Sequence, residues 1–350
     1  MKIEEFVLLP NFKELCEEKN IEIKYDEDLM LLKYGMEADF KDPIVKQSRG
    51  IIFNKEKEIV CRPFDKFCNY SEESADEIDW TTARVQEKLD GSLIKLYFYK
   101  GEWRFATNGT INAAKADVSI SQTFQELIEK ANNYNKIDFN NLKKDRTYLF
   151  ELVSPKNQKV VEYPVTTLYH IGTRKLTGEE VEEDIGIQKP QIFEVTTLED
   201  CVELANSFSD YNFEGFVVVD KNYNRIKVKT PAYIIAHHAI NNGNPEKSIL
   251  EFLIEENKSN IFSELSNTRL LYLELKYKFS FLEYEIEKEM QNARAYYEEY
   301  DFDRKATAAV IKNWKYPDAG FKALDSDMTA REYLEGVLER VGIKKIKKMI

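Results

Sequence analysis

Through the first two thirds of the chain, short runs rich in β-branched and aromatic residues recur at 50–53, 92–99, 103–107, 148–153, 168–171, 216–219 and 225–229, and they predict strands. Lys100-Gly101 joins two of them as a hairpin, and 220–224 joins two more. Segments 122–132 and 198–208 carry the 3.6-residue period of helices laid on these sheets. After Pro245 the pattern changes. Neither glycine nor proline appears again before Pro317, while Leu271, Leu275, Phe279, Leu282, Ile286, Met290, Ala293 and Tyr297 recur at spacings of three and four, the stripe of one long amphipathic helix. The shift follows the turn-like 241–245, so the expected domains are 1–241 and 242–350. The implied class is α+β: antiparallel sheets with flanking helices, then an all-α C-terminal domain.

Length and composition support two domains with real cores, since 350 residues are 43% hydrophobic and 13% aromatic. Four cysteines, Cys16, Cys61, Cys68 and Cys201, form neither a CxxC pair nor a dense framework and are expected as reduced thiols. With only three histidines, no zinc cluster is expected. No apolar stretch approaches the roughly 18 residues of a spanning helix, so the expected location is cytoplasmic, the host cytoplasm if the chain is viral, with no membrane partner. A formal net charge of −12 excludes indiscriminate phosphate-backbone binding but leaves room for a local basic groove. The lysine-rich tail, Lys344, Lys345, Lys347 and Lys348, is expected to be a solvated terminus.

The chemistry gathers at strand ends. Lys88-Leu89-Asp90-Gly91-Ser92 opens the first hairpin, and such a KxDG string arises by chance in roughly one chain in ten. Three further segments give it weight: Ser48-Arg49-Gly50, Phe150-Glu151, and Glu214-Gly215 with Lys227-Val228-Lys229. A lysine at a glycine turn lets a phosphate approach, and neighbouring cations would depress its pKa and free an amine nucleophile. Period 2 puts Lys227 and Lys229 on one strand face, where two ammonium groups could hold phosphate oxygens. Glu151 and Glu214 are hard oxygen donors suited to Mg²⁺ or ribose hydroxyls. Taken singly, each of these side chains is as readily a solvated strand-end charge.

In order and spacing these segments resemble the nucleophile, third, fourth and fifth motifs of the covalent nucleotidyltransferases, the superfamily of ATP-dependent ligases and RNA capping enzymes. More narrowly, Ser48-Arg49-Gly50-Ile51, Arg62-Pro63, Lys66-Phe67-Cys68-Asn69, Val153-Ser154-Pro155-Lys156-Asn157 and Asn244-Pro245-Glu246-Lys247 resemble the tRNA-repair RNA ligases of T-even phages, over about residues 30–250. The resemblance implies an ATP-grasp-like ligase (nucleotidyltransferase) domain. It also implies an ATP-dependent RNA ligase that joins 5′-phosphate and 3′-hydroxyl ends through lysyl-AMP and RNA-adenylate, with ATP and Mg²⁺, or Mn²⁺, as cofactors. RNA is the implied partner, with a role in tRNA repair and functional coupling to an end-healing kinase/phosphatase; the C-terminal domain would read RNA ends.

Residue by residue, the resemblance implies that Lys88 becomes adenylylated and that Arg49 and Glu151 contact the nucleoside, Glu151 also lying near metal-bound water. Lys66 would reach the leaving pyrophosphate, Glu214 would assist metal binding, and Lys227 and Lys229 would grip the α-phosphate. Tyr34 falls where the family has a functional tyrosine, and Arg174 precedes the fourth motif; a structural role is equally open to both. Two departures stand out: Asn108-Gly109-Thr110 replaces the family's Lys-Gly-Ser, and Cys68 replaces a phenylalanine. Lys115 and Arg104 are the cations nearest Asn108 in sequence. The alternatives are a DNA ligase, a capping guanylyltransferase, or an inactive RNA-binding relative. No OB-fold signature follows Lys229, which speaks against the first two.

Overall fold

The computed structural model describes residues 1–119, 122–241, 245–254 and 269–350. Contacts divide the chain into two compact units, Met1–Tyr233 and Ile234–Ile350. The division falls within the helix Pro231–Asn241. The turn at 242–244, where the sequence suggests a boundary, lies outside the described residues.

The first unit holds three main sheets. Strands β1 (Ile21–Asp26), β2 (Leu29–Tyr34), β3 (Arg49–Phe53) and β4 (Ile59–Cys61) form one in chain order. A second has the order β13-β12-β11-β7-β8 and a third β14-β6-β15-β16-β5. Their strands are β5 (Cys68–Asn69), β6 (Arg84–Glu87), β7 (Ser92–Tyr99), β8 (Glu102–Thr107), β11 (Arg146–Val153), β12 (Thr167–Lys175), β13 (Glu180–Val181), β14 (Ile192–Phe193), β15 (Gly215–Val219) and β16 (Arg225–Lys229). Between them β9 (Asp117–Ser119) and β10 (Gln122–Thr123) pair as a short ribbon. The pairing is antiparallel, as expected, apart from the short edge pair β16 with β5, which is parallel. β5 returns to this edge through the loop after β4 rather than through a hairpin, so nothing forces it to run the other way.

Local chemistry explains the elements that place the site. Lys100 and Gly101 have φ of 49° and 89°, and two left-handed residues make the hairpin turn whose twist matches β7 and β8. The turn between β15 and β16 is organised by Asp220, which accepts from the backbone N–H of Asn222 at 2.8 Å and Asn224 at 3.0 Å. In β16 the buried Ile226 and Val228 point into a core with Phe216, Val218, Cys201 and Ala205, which leaves Lys227 and Lys229 on the opposite face. The helix Leu198–Ser207 covers that core and is capped by Thr197, whose hydroxyl accepts from Asp200 N–H at 3.1 Å. The expected helix at 122–132 shrinks to Phe124–Glu129. Gln122 and Thr123 are drawn into the β9–β10 ribbon, and a Thr123/Glu126 capping box sets the start.

Within the second unit the described residues form helices. Arg269–Glu299 is the longest, and it buries Leu275, Phe279, Leu282, Ile286, Met290 and Ala293. Among the described residues no helix is long and apolar enough to cross a membrane.

Candidate nucleotide site

Residues of β3, β6, β7, β8, β11, β12, β15 and β16, with the turn after β6, line a cavity of about 430 Å³. Lys88, Arg49, Glu151, Asn108, Ser92 and Arg225 supply its polar wall; Phe67, Leu93, Phe124, Ile171 and Val217 supply apolar surface. Size and mixed lining suit a nucleotide-sized ligand.

Lys88 follows β6, where its N–H donates to Gly215 O at 2.8 Å. Its Nζ lies 2.8 Å from one oxygen of Glu214, and Lys229 Nζ lies 3.0 Å from the other. Glu214 is buried at 3% exposure, and although burial opposes its charge, Lys88 and Lys229 outweigh burial and hold the carboxyl below the usual range. Lys88 itself is held above the usual lysine value: burial works against the ammonium, but Glu214, Glu151 and Asp90 outweigh it. This corrects the expectation of a depressed nucleophile, because the groups nearest Lys88 are carboxylates and not cations. Lys227 is depressed instead, to about 8, through burial and then Lys66, Lys88 and Lys229. Glu151 is pushed up to about 7 by burial, with Glu214 adding to it against Lys88 and Arg49, and it accepts from Gly91 N–H at 3.1 Å.

Phe67 is ringed by cations, with the Arg49 guanidinium 5.2 Å, Lys227 Nζ 5.7 Å and the Arg225 guanidinium 5.8 Å from its ring centre. Arg49 Nη1 and Asn108 Oδ1 are buried without a hydrogen-bond partner among the described residues, so the cavity wall presents a free donor and a free acceptor. Gly50 has φ of 82°, and a Cβ there would collide with the Asn108 carbonyl; only glycine lets β3 pass this close to the 108–110 turn.

Of the residues singled out in the sequence, Arg49, Lys88 and Glu151 line this cavity, and Glu214, Lys227 and Lys229 stand beside it through Lys88 and Phe67. Lys66 lines a neighbouring cavity of about 630 Å³ that shares Phe67 and Arg225, with its Nζ 4.6 Å from the Phe40 ring centre. Tyr34 packs edge-on against Phe40 in the core under β1–β3 and is not part of either wall. Arg174 is spent on Pro63 O and Asp65, each at 2.6 Å, and on Gly178 O at 2.9 Å. Arg104 and Lys115 turn away to Glu27 and Asp26.

Four residues carry parts of the arrangement that sequence reasoning left without a role. Asp90 is buried and accepts from Val160 and Val161 N–H at 2.8 and 2.9 Å and from the Tyr233 hydroxyl at 2.8 Å, which fixes the turn that carries Lys88. Its signal was the aspartate of KxDG itself; Tyr233 gave none. Arg225 makes a bidentate pair with Glu180 at 2.8 and 3.0 Å and lies 4.1 Å from the Phe64 ring centre. Lys95 is fully buried, its ammonium donating to Gly50 O, and burial lowers it to about 8. Among the described residues no three His, Cys, Asp or Glu side chains gather around one point.

The family model described as RNA ligase matches residues 47–233. A protein of Autographa californica nuclear polyhedrosis virus, described as "Putative bifunctional polynucleotide kinase/RNA ligase", is 34% identical over 251 residues. That match covers 64% of this chain and 36% of the viral protein, so the chain spans about a third of that relative's length. The RNA ligase of Rhodothermus phage RM378 is 28% identical over 308 residues, covering 67% of this chain and 69% of the phage protein. An archaeal ATP-dependent RNA ligase of solved structure is similar at a TM-score of 0.46 and 14% identity, over 78% of this chain and 72% of that one. The segment matched by the family model spans more than half of the sequence and contains Arg49, Lys66, Lys88, Glu151, Glu214, Lys227 and Lys229, and the chain belongs to the RNA ligase family.

Proposed function

We propose that the chain is an ATP-dependent RNA ligase working through Lys88. The observation that carries this reading is Lys88 on the wall of a nucleotide-sized cavity, bonded to a buried glutamate that a second lysine also grips. Neutral Lys88 Nζ attacks the α-phosphorus of ATP; a P–N bond forms and pyrophosphate leaves. A 5′-phosphate oxygen of RNA then takes the AMP, breaking the P–N bond. Finally an RNA 3′-hydroxyl attacks the adenylylated phosphate and AMP departs. Lys227, Lys229 and Lys66 hold phosphate oxygens, Arg49 and Glu151 hold the nucleoside, and the Asp90 contacts keep the lysine turn in place. A divalent cation, Mg²⁺ or Mn²⁺, fits the hard oxygens of Glu151 and Glu214 and would neutralise phosphate charge when bound.

Residues 1–241 are proposed as the adenylyltransferase part, an ATP-grasp-like nucleotidyltransferase, and 242–350 as a helical part that selects RNA ends. The viral relative is described as a bifunctional polynucleotide kinase/RNA ligase, which supports coupling to a 5′-end kinase and a role in RNA repair, tRNA being the expected substrate. Four buried free thiols suit a reducing cytoplasm.

Incubation with ATP or GTP labelled at the α-phosphate, followed by a denaturing gel, tests the reading. Label retained from ATP alone is expected; no label, or label from GTP alone, rejects it in favour of an inactive relative or a guanylyltransferase. A fragment ending at Asn241 is expected to remain soluble and to take label while losing discrimination among RNA ends. An insoluble or inert fragment would mean that the two parts share one core.

The Lys88–Glu214 pair gives a pH prediction. Attack requires the neutral amine, and Glu214 raises the pKa of Lys88 in the free protein. Glu214→Gln removes that charge while keeping the shape, so the acid limb of the labelling-rate profile should move to lower pH, even where the maximal rate falls. An unmoved limb would show that another group sets it.

A further inference from the structure

The turn at 108–110 closes β8 and lines the cavity through Asn108 and Gly109. It is tied internally by a 2.7 Å hydrogen bond between the hydroxyls of Thr107 and Thr110, and Gly109 N–H donates to Thr107 Oγ1 at 3.3 Å. Cations approach it from the first sheet. Lys24 of β1 donates to Gly109 O at 3.2 Å. Lys33 of β2 places its Nζ 3.4 Å from where a Cβ on Gly109 would stand. Lys33 and Arg49 are cross-strand partners in β2 and β3, and Lys95 lies buried on the Gly50 carbonyl next to them.

Charge balance singles out Lys33. Lys24 has Glu22 at 3.5 Å, and Arg104 and Lys115, the cations nearest the turn in sequence, are paired with Glu27 and Asp26. Lys33 is partly buried and forms no salt bridge among the described residues. An ammonium partly withdrawn from water, beside other cations and unmatched by a carboxylate, is electrostatically costly unless an anion visits it. In a chain of net charge −12 such a spot is where a phosphate can be drawn in.

We infer that Lys33, on the strand beside the nucleoside-holding Arg49, forms a docking point for the 5′-phosphate end of the RNA strand at the 108–110 turn. The ATP phosphates already have Lys66, Lys227 and Lys229, carried by β16 and the loop before β5. Lys33 comes from a different sheet and stands beside Gly109, which lines the cavity, so its charge serves the second polyanion that the reaction requires. It also supplies, from another strand, positive charge at a turn whose own side chain, Asn108, is neutral. The inference rests on the ligase reading, and the test separates the two.

Single-turnover measurements on the full chain compare wild type with Lys33→Gln, which keeps most of the side-chain stem, and with Lys33→Arg, which keeps the charge. In Lys33→Gln, transfer of AMP from the pre-labelled protein to 5′-phosphorylated RNA is expected to slow at least tenfold more than self-labelling by ATP does. The slope of log affinity for that RNA against log salt should become shallower by about 0.7, the share of one single-strand phosphate contact. Lys33→Arg should recover most of both effects. Equal slowing of the two steps would place Lys33 on the ATP phosphates, and an unchanged transfer rate and salt slope would make it a solvated lysine; either result overturns the inference. If wild type takes no label from ATP, the ligase reading fails instead, and the salt slope for RNA binding still decides the role of Lys33.

Discussion

Lys88→Ala protein incubated with α-phosphate-labelled ATP is expected to carry no covalent label, a loss beyond detection. Among the described residues no other lysine both lines the cavity and follows a strand end with a bonded glutamate. Lys227 is the more easily deprotonated amine, at about 8, but its Nζ lies against the Phe67 ring, and Lys95 is sealed under Gly50. A lowered pKa alone therefore does not make either of them the nucleophile; position decides. Lys88 also takes part in the fold. Its side chain is only 21% exposed, so it is not the free turn residue that an Asp-Gly turn suggests, and alanine removes one of the two lysines that grip Glu214 among the described residues. Lys88→Arg separates the two roles. It retains a cation for Glu214 but offers no neutral amine in the working pH range, so it should fold as wild type and remain unlabelled. Both variants should still seal RNA supplied with a pre-formed 5′-adenylate, since the amine is consumed only in the first step. Label on purified Lys88→Ala would remove Lys88 from the mechanism.

Strands were legible in the sequence where turn chemistry and alternation coincide. The hairpin β7–β8 announces itself through Lys100-Gly101, and β16 through two lysines alternating with buried Ile226 and Val228. The sheet β1–β4 was mostly not legible, because Leu29–Leu32 is a continuous apolar run, buried on both faces of β2, and such a run has no period of its own. The long helix was legible because one face alone is buried. Within the site, the residue types and their order carried the identity of Lys88, Glu151, Glu214, Lys227 and Lys229, whereas their protonation could not be read from order. It depends on Glu214 standing between two lysines and on Lys227 lying behind Phe67, both set by pairing between β15 and β16 and by the parallel edge strand β5. Tyr233 and Lys95 gave no signal because each reaches the site across a long sequence separation, Tyr233 to Asp90 and Lys95 to Gly50.

The paired lysines of β16 make the second strong prediction. Lys227→Ala and Lys229→Ala should each slow self-labelling at least tenfold, about 1.4 kcal/mol, since removing a cation that stabilises a developing phosphate charge typically costs that much or more. Their pH dependence should differ. Lys229 is bonded to Glu214, while Lys227 is half-buried among Lys66, Lys88 and Lys229 and titrates at about 8 in the free protein. As pH rises through that value wild type gains neutral Lys88 but loses the Lys227 charge; as pH falls the reverse holds. Lys227→Arg keeps a cation throughout, because a guanidinium does not titrate in this range. Relative to wild type, then, Lys227→Arg should label poorly near neutrality, where lysine is charged and better fitted, and gain ground above pH 8. A ratio of the two rates that stays flat from pH 7 to pH 9.5 would show that Lys227 does not change charge during the approach of ATP. Near-normal labelling by both alanine variants would reduce the β16 face to a solvated one.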